Sequence, residues 1–406
     1  MTPSYDLPEL RRRFPAHSRV VDGIPAAYLD GPAGTQVPES VIEAVGQAMV
    51  MAASNVGGSF QASRDSEAVV EAARRAGADL VGGDPAEIVF GPNMTTLTFA
   101  MSRAIAAGWS EGDNVVVTRL DHDANITPWV RAAADRGVDV RFARIRPDDV
   151  TLDLDHLETL LDGRTRLVAV TGCSNAFGSL VDVARVSAAA RRVGALSYVD
   201  AVHLAAHMRI DVASLGCDLL VCSAYKVYGP HVGVLWGRAE VLEAIDAYKV
   251  RPAPAGPPGR FETGTPSFPL LAGVAAAVDH LASIGEGGDR AARLDDAFER
   301  TSLHEAALGL RFLAGLPDGV RMWGPPSMEG RVATFSMAVE GLAPQEAAAE
   351  LGRRGIFTWA GHHYAVEPMA ALGLLDSGGL LRIGFGATTT EAEVDRALTA
   401  LDQLAG

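Results

Sequence analysis

Leu219-Leu220-Val221-Cys222-Ser223-Ala224-Tyr225-Lys226-Val227-Tyr228-Gly229-Pro230 begins as an unbroken apolar run and ends in polar residues, a lysine and a Gly-Pro break. A short apolar run closed by a turn signal reads as a strand covered on both faces. Similar runs precede it at 87–90, 114–118, 166–170 and 196–199. Ala-rich segments at 95–107, 124–136 and 184–193 lie between them and are long enough for helices. Strands alternating with helices predict an α/β fold built on a mainly parallel sheet sandwiched by helices.

In such sheets ligands bind beyond the carboxyl ends of the strands, so the residues leaving each run matter most. The first run exits into Gly91-Pro92-Asn93-Met94-Thr95-Thr96 at a helix start, where free N–H groups and hydroxyls make a phosphate cup. The second exits into Asp121-His122-Asp123-Ala124-Asn125, the third into Thr171-Gly172-Cys173-Ser174-Asn175 and the fourth into Asp200-Ala201-Val202-His203. The fifth delivers Lys226, one of only two lysines in the chain; the other, Lys249, reads as a solvated helix end. A phosphate cup, a carboxylate, a lysine and a ring that can stack together describe a pyridoxal 5'-phosphate site. The lysine binds the aldehyde, and the acid keeps the pyridine nitrogen protonated. No GxGxxG follows a strand and no GxxxxGK[ST] occurs, so nucleotide binding fits less well.

The 406 residues carry 35 Lys+Arg against 50 Asp+Glu, a net charge of −15, which disfavours nucleic acid and anionic membranes as partners. No apolar window reaches membrane-spanning length and the first residues lack a signal-peptide core, which predicts a cytoplasmic protein. The three cysteines, Cys173, Cys217 and Cys222, form neither a disulfide framework nor a CxxC pair. His203 and His207 have HxxxH spacing without the HExxH glutamate, and no metal site is expected. After the Pro- and Gly-rich stretch 251–269 the texture changes, with helices predicted at 270–284 and 290–314 and a strand at 331–339. Thr390 and Glu393 form a capping-box pattern before a final helix. The expected division is a large cofactor-binding domain over 20–268 and a smaller α+β domain over 269–406, with residues 1–19 packing on the latter.

Asp121–Asn125, Asp200-x-x-His203, Ser223–Pro230, Arg260-Phe261-Glu262-Thr263-Gly264-Thr265-Pro266 and Leu381-Arg382-Ile383 together resemble the class V aminotransferase family of fold type I pyridoxal-phosphate enzymes. That group includes cysteine desulfurases and selenocysteine lyases. The resemblance implies a seven-stranded sheet, with Lys226 as the lysine linked to the cofactor and Asp200 as the partner of its ring nitrogen. His122 would stack on the ring and assist proton transfer. It also implies that Met94, Thr95 and Ser223 hold the phosphate, that Asn175, His203 and Tyr225 line the ring, and that Arg382 clamps the substrate carboxylate beside Asn175 and His363. Gly264 and Thr265 would reach the neighbouring subunit's phosphate site, which implies a homodimer.

One departure bears on the reaction. Where the resemblance implies the sulfur-carrying cysteine, the chain reads Trp359-Ala360-Gly361-His362-His363-Tyr364-Ala365-Val366-Glu367, with Tyr364 at that position. A phenol cannot form a persulfide. The expected activity is therefore a C–S (or C–Se) β-lyase using Lys226, His122 and Tyr364. Amino-acid epimerisation or transamination is one alternative, and a cysteine desulfurase using Cys173 is another.

Overall fold

The computed structural model describes residues 5–406; residues 1–4 of the predicted N-terminal packing segment lie outside it. Seven strands form the principal sheet: β1 (Ile88–Gly91), β2 (Asn114–Thr118), β3 (Asp139–Ala143), β4 (Thr165–Thr171), β5 (Leu196–Asp200), β6 (Leu219–Ser223) and β7 (Gly233–Gly237). Their order is β1-β7-β6-β5-β4-β2-β3. The pairs from β6 through β3 are parallel, whereas β7 runs antiparallel to both of its neighbours. The five apolar runs thus form strands of one mostly parallel sheet. β3 and β7 are additions, because Asp139-Val140-Arg141-Phe142 and the glycine-flanked Gly233–Gly237 carry weak strand signals.

Alternate residues divide between the two faces, as the strand period of two requires. Val115, Val117, Leu167, Ala169, Leu219 and Val221 enter one core, with Leu97, Met101 and Trp129. Val116, Val168, Val170, Leu220 and Cys222 enter the other, with Ala73, Ala76, Val186 and Leu271. The helix expected at 124–136 begins instead at Thr127: a 3-10 turn over Asp123–Asn125 precedes it, and Pro128 supplies the fixed φ of a first helical turn.

A second, antiparallel sheet has the order β8 (Val320–Trp323), β9 (Thr334–Val339), β11 (Leu380–Gly384), β10 (Trp359–Gly361). Its core is built on Phe312, Phe335 and Phe385 under the final helix Glu391–Ala405, whose capping box forms as expected. The segment Ala27–Tyr28 pairs with Ile356–Phe357, Tyr5 Oη donates to the Ala387 carbonyl, and Arg11 makes a bidentate pair with Glu393. The helix Phe268–Ala282, at the expected domain boundary, packs against the helices Glu39–Met51 and Gln61–Val81 on the sheet side. Among the described residues no helix is long and apolar enough to cross a membrane.

The loop before Phe268 is tied to the sheet by one carboxylate. Glu262 accepts two bonds from Arg74 at 2.9 and 2.7 Å and a third from the Phe90 N–H at 2.8 Å, with both side chains largely shielded from water. Removing the acid strands a shielded guanidinium and a backbone donor. Glu262→Ala is expected to lower stability to urea by about 2–3 kcal/mol. It should also expose Arg260 to limited trypsin cleavage.

Candidate active site

Five strand exits converge on a cavity of about 570 Å³ between the principal sheet and the second one. Lys226 lies in a single 3-10 turn directly after β6, and its side chain is only 6% exposed. The Nζ donates to the Pro32 carbonyl and lies 5.0 Å from the centre of the Tyr225 ring. Burial, aided by the nearby Arg382 guanidinium, pushes its pKa down to about 7. Asp200 closes β5 on the same cavity, with Oδ1 accepting from the Val202 N–H at 2.9 Å. Burial raises it to about 6 against the opposing pull of that N–H and of Lys226. A buried acid of this kind gains most from a cationic neighbour.

His122 owes its position to a residue that the sequence supplied only as part of a motif. Asp121 is fully buried and accepts from the Thr118 hydroxyl and from Asn125 Nδ2, fixing the turn between them. The backbone N–H of Ala124 occupies His122 Nδ1 at 3.0 Å, which leaves Nε2 for contacts in the cavity. Burial, with Lys226 and Arg382 adding to it, lowers His122 to about 4, so its imidazole is neutral at physiological pH. Tyr364 stacks on the same ring, centres 5.3 Å apart and planes 15° apart.

The Tyr364 turn is pinned. His363 and Tyr364 hold positive φ values of 53° and 56°, the Asp123 N–H donates to the Tyr364 carbonyl, and Asn175 Nδ2 donates to the His363 carbonyl. The His363 imidazole bonds the Leu380 carbonyl at 3.1 Å and is lowered by burial to about 2. Left-handed non-glycine pairs cost free energy and persist where surrounding bonds over-determine them.

Arg382 is buried on β11 and donates to the Asn175 carbonyl at 2.8 Å, with burial lowering it only to about 10, so it stays charged. His203 Nε2 bonds the Thr334 hydroxyl at 2.9 Å; burial holds its pKa well below the ordinary range. Met94, Thr95 and Tyr225 also line the cavity. Ser223 lies just behind the lining, accepting from the Met94 N–H at 3.3 Å at the start of the helix Met94–Ala106. Gly264 and Thr265 do not reach this chain's own cavity: they are exposed on the loop that Glu262 anchors. Asp30, Pro32, Gln345 and Leu375 escaped the sequence reading. The first is a buried carboxyl raised by desolvation and eased by the charges of Arg382 and Lys226.

Two buried acceptor or donor atoms facing this region have no partner within the chain: Asn175 Oδ1 and His203 Nδ1. With the Lys226 amine, the Asp200 carboxylate and the Thr95 and Ser223 hydroxyls, they fit a polar, phosphate-bearing aromatic aldehyde. Cys173 also lines the cavity, but its Sγ donates to the Gly178 carbonyl at 3.4 Å and burial drives the thiol strongly towards the protonated form. Competitive labelling with acetic anhydride tests the lysine environment. Lys226 should gain reactivity as pH rises through about 7, because only the neutral amine is nucleophilic. A midpoint near the ordinary lysine value would refute it.

The class-V aminotransferase model matches residues 27–397. A cysteine desulfurase of Pectobacterium carotovorum is 32% identical, over 99% of this chain and 98% of its own. A probable cysteine desulfurase of Pseudomonas aeruginosa is 34% identical, over 97% of each chain. The apo structure of a cysteine desulfurase from Thermococcus onnurineus superposes with a TM-score of 0.89 at 27% identity, covering 100% of this chain and 98% of that one. The chain therefore belongs to the class V aminotransferase family, whose enzymes use pyridoxal phosphate and whose fold type I architecture it shares.

Proposed function

We propose that the cavity holds pyridoxal phosphate and that the enzyme eliminates sulfur or selenium from Cβ of a cysteine-derived amino acid. The observation carrying this reading is that Lys226, Asp200 and Arg382 face one cavity while the opposing pinned turn presents Tyr364. Lys226 would hold the aldehyde, Asp200 the ring nitrogen, His122 one ring face, and Asn175 and His203 the phenolic-oxygen side. Thr95, Ser223 and the Met94 N–H would hold the phosphate. When bound, the cofactor supplies an electron sink that acidifies the substrate α-proton.

The chain's own groups supply the rest. Arg382 takes the carboxylate through its free N–H groups, fixing which Cα bond faces the lysine. The Lys226 amine, whose pKa burial lowers to about 7 so that a substantial fraction is neutral near neutrality, accepts the α-proton. The Cβ–S bond then breaks with its electron pair on sulfur, and the Tyr364 hydroxyl protonates the leaving group. Overall, RS–CH2–CH(NH3+)–COO− and water give RSH, pyruvate and ammonium.

A second reading is a cysteine desulfurase in which Cys173 carries the sulfur. The cysteine desulfurase activity of the relatives supports it more strongly than the first reading, and Cys173 lines the cavity. The thiol's burial weighs against it, because an attacking thiolate needs exposure and a depressed pKa. The two differ in product: elimination releases pyruvate, whereas sulfur transfer leaves alanine and a persulfide. Holoenzyme given L-cysteine and S-substituted cysteines is expected to release pyruvate and thiol in equal amounts. Cys173→Ala should retain this activity and Lys226→Ala should lose it by at least about a thousandfold. Alanine accompanied by a persulfide that disappears in Cys173→Ala would establish the second reading instead.

We further propose a homodimer in which the Gly264-Thr265 loop completes the partner copy's phosphate site. Its support is the exposed apolar run Met49-Val50-Met51, with Val56 and Phe60 beyond it, which an isolated chain leaves in water. Sedimentation is expected to show two chains per particle, and Val50→Glu should shift it towards one.

A further inference from the structure

Trp359 and Arg382 are directly opposed across the antiparallel β10–β11 pair. Opposed residues project to the same face with Cβ atoms about 5 Å apart. Leu381 and Ile383, the neighbours of Arg382 along β11, point the other way into the core under Glu391–Ala405. The Trp359 indole therefore stands on the cavity side, next to the guanidinium, yet it is 53% exposed. Tyr364 and Leu375 are likewise exposed and line the same mouth. Large apolar groups at one cavity mouth favour an apolar ligand surface.

Charge points the same way. Among the described residues lining the cavity, Asp200, Lys226 and Arg382 are the only acids, lysines or arginines. The proposed chemistry occupies all three, so apart from the exposed His362 the mouth offers no group to pair with a charged substituent. We propose that Trp359, with Tyr364 and Leu375, forms a subsite for an uncharged apolar or aromatic substituent on the substrate sulfur. The proposal rests on the elimination reading for the identity of the substrate and not for the subsite itself. Free cysteine, with no substituent, leaves this subsite unfilled. An S-benzyl group, whose ring begins three bonds beyond Cβ, offers an aromatic face to the indole.

Two unreactive probes separate the subsite from the reaction: 3-(benzylthio)propanoate and 3-(methylthio)propanoate, which keep the carboxylate and thioether but lack the amine. Calorimetry on the holoenzyme should show the benzyl compound binding at least about tenfold tighter. Trp359→Phe should keep most of that ratio and Trp359→Ala should reduce it to about twofold. Equal affinities in the native enzyme, or an undiminished ratio in Trp359→Ala, would overturn the proposal. S-benzylcysteine should likewise yield pyruvate faster than S-methylcysteine. Pyruvate from neither overturns the elimination reading, while the two affinities still decide the subsite.

Discussion

A lysine only 6% exposed to solvent cannot keep its ordinary basicity, and much of the site follows from that constraint. Desolvation and the neighbouring Arg382 charge bring Lys226 down to about 7, while Asp200 and Asp30 partly offset them. The same burial raises Asp200 to about 6. Burial thus draws the acid and the amine towards each other in pKa. That is how a buried lysine becomes useful as a base near neutrality.

The arrangement depends on both sheets. The principal sheet delivers Lys226, Asp200 and His122 on strand exits, and the second sheet delivers Arg382 from β11. Bonds crossing between them hold the halves in register: His203 to Thr334, Arg382 to the Asn175 carbonyl, and Asn175 to the His363 carbonyl. The N-terminal segment strengthens the join, since Ala27–Tyr28 pairs with Ile356–Phe357 and the Pro32 carbonyl receives the Lys226 amine.

The Tyr364 turn bears on how the chain relates to the cysteine desulfurases it resembles. Its backbone is held from Asp123 and Asn175, its first histidine accepts the Tyr364 N–H, and Arg119 pairs with Glu367 just beyond. A residue held this way suits a wall or a proton donor better than a carrier that must travel. Cys173, just after β4, is also held in place, by its bond to Gly178 and by burial. Both observations favour chemistry completed within one cavity.

Much of the site was legible in the chain because its polar residues interrupt long apolar runs, and strand ends in an α/β sheet share one edge. With only two lysines, Lys226 was marked by composition, and Asp200 and His122 by their places after apolar runs. β7 and the helices Glu39–Met51 and Gln61–Val81 were not assigned from sequence. β7 is buried between β1 and β6, a pairing that its local pattern does not announce. Asp30, Pro32 and Trp359 belong to the same class: each gains its place by pairing with a different segment, Asp30 with Gly384, Pro32 with Lys226 and Trp359 with Arg382. Local pattern by itself marked the five apolar strands, the polar residues leaving them and the lysine–acid pair. Only the tertiary structure decided that Cys173 is walled in, that Tyr364 backs His122 and that Trp359 stands beside Arg382, because burial and strand register are properties of packing between segments and not of any one segment.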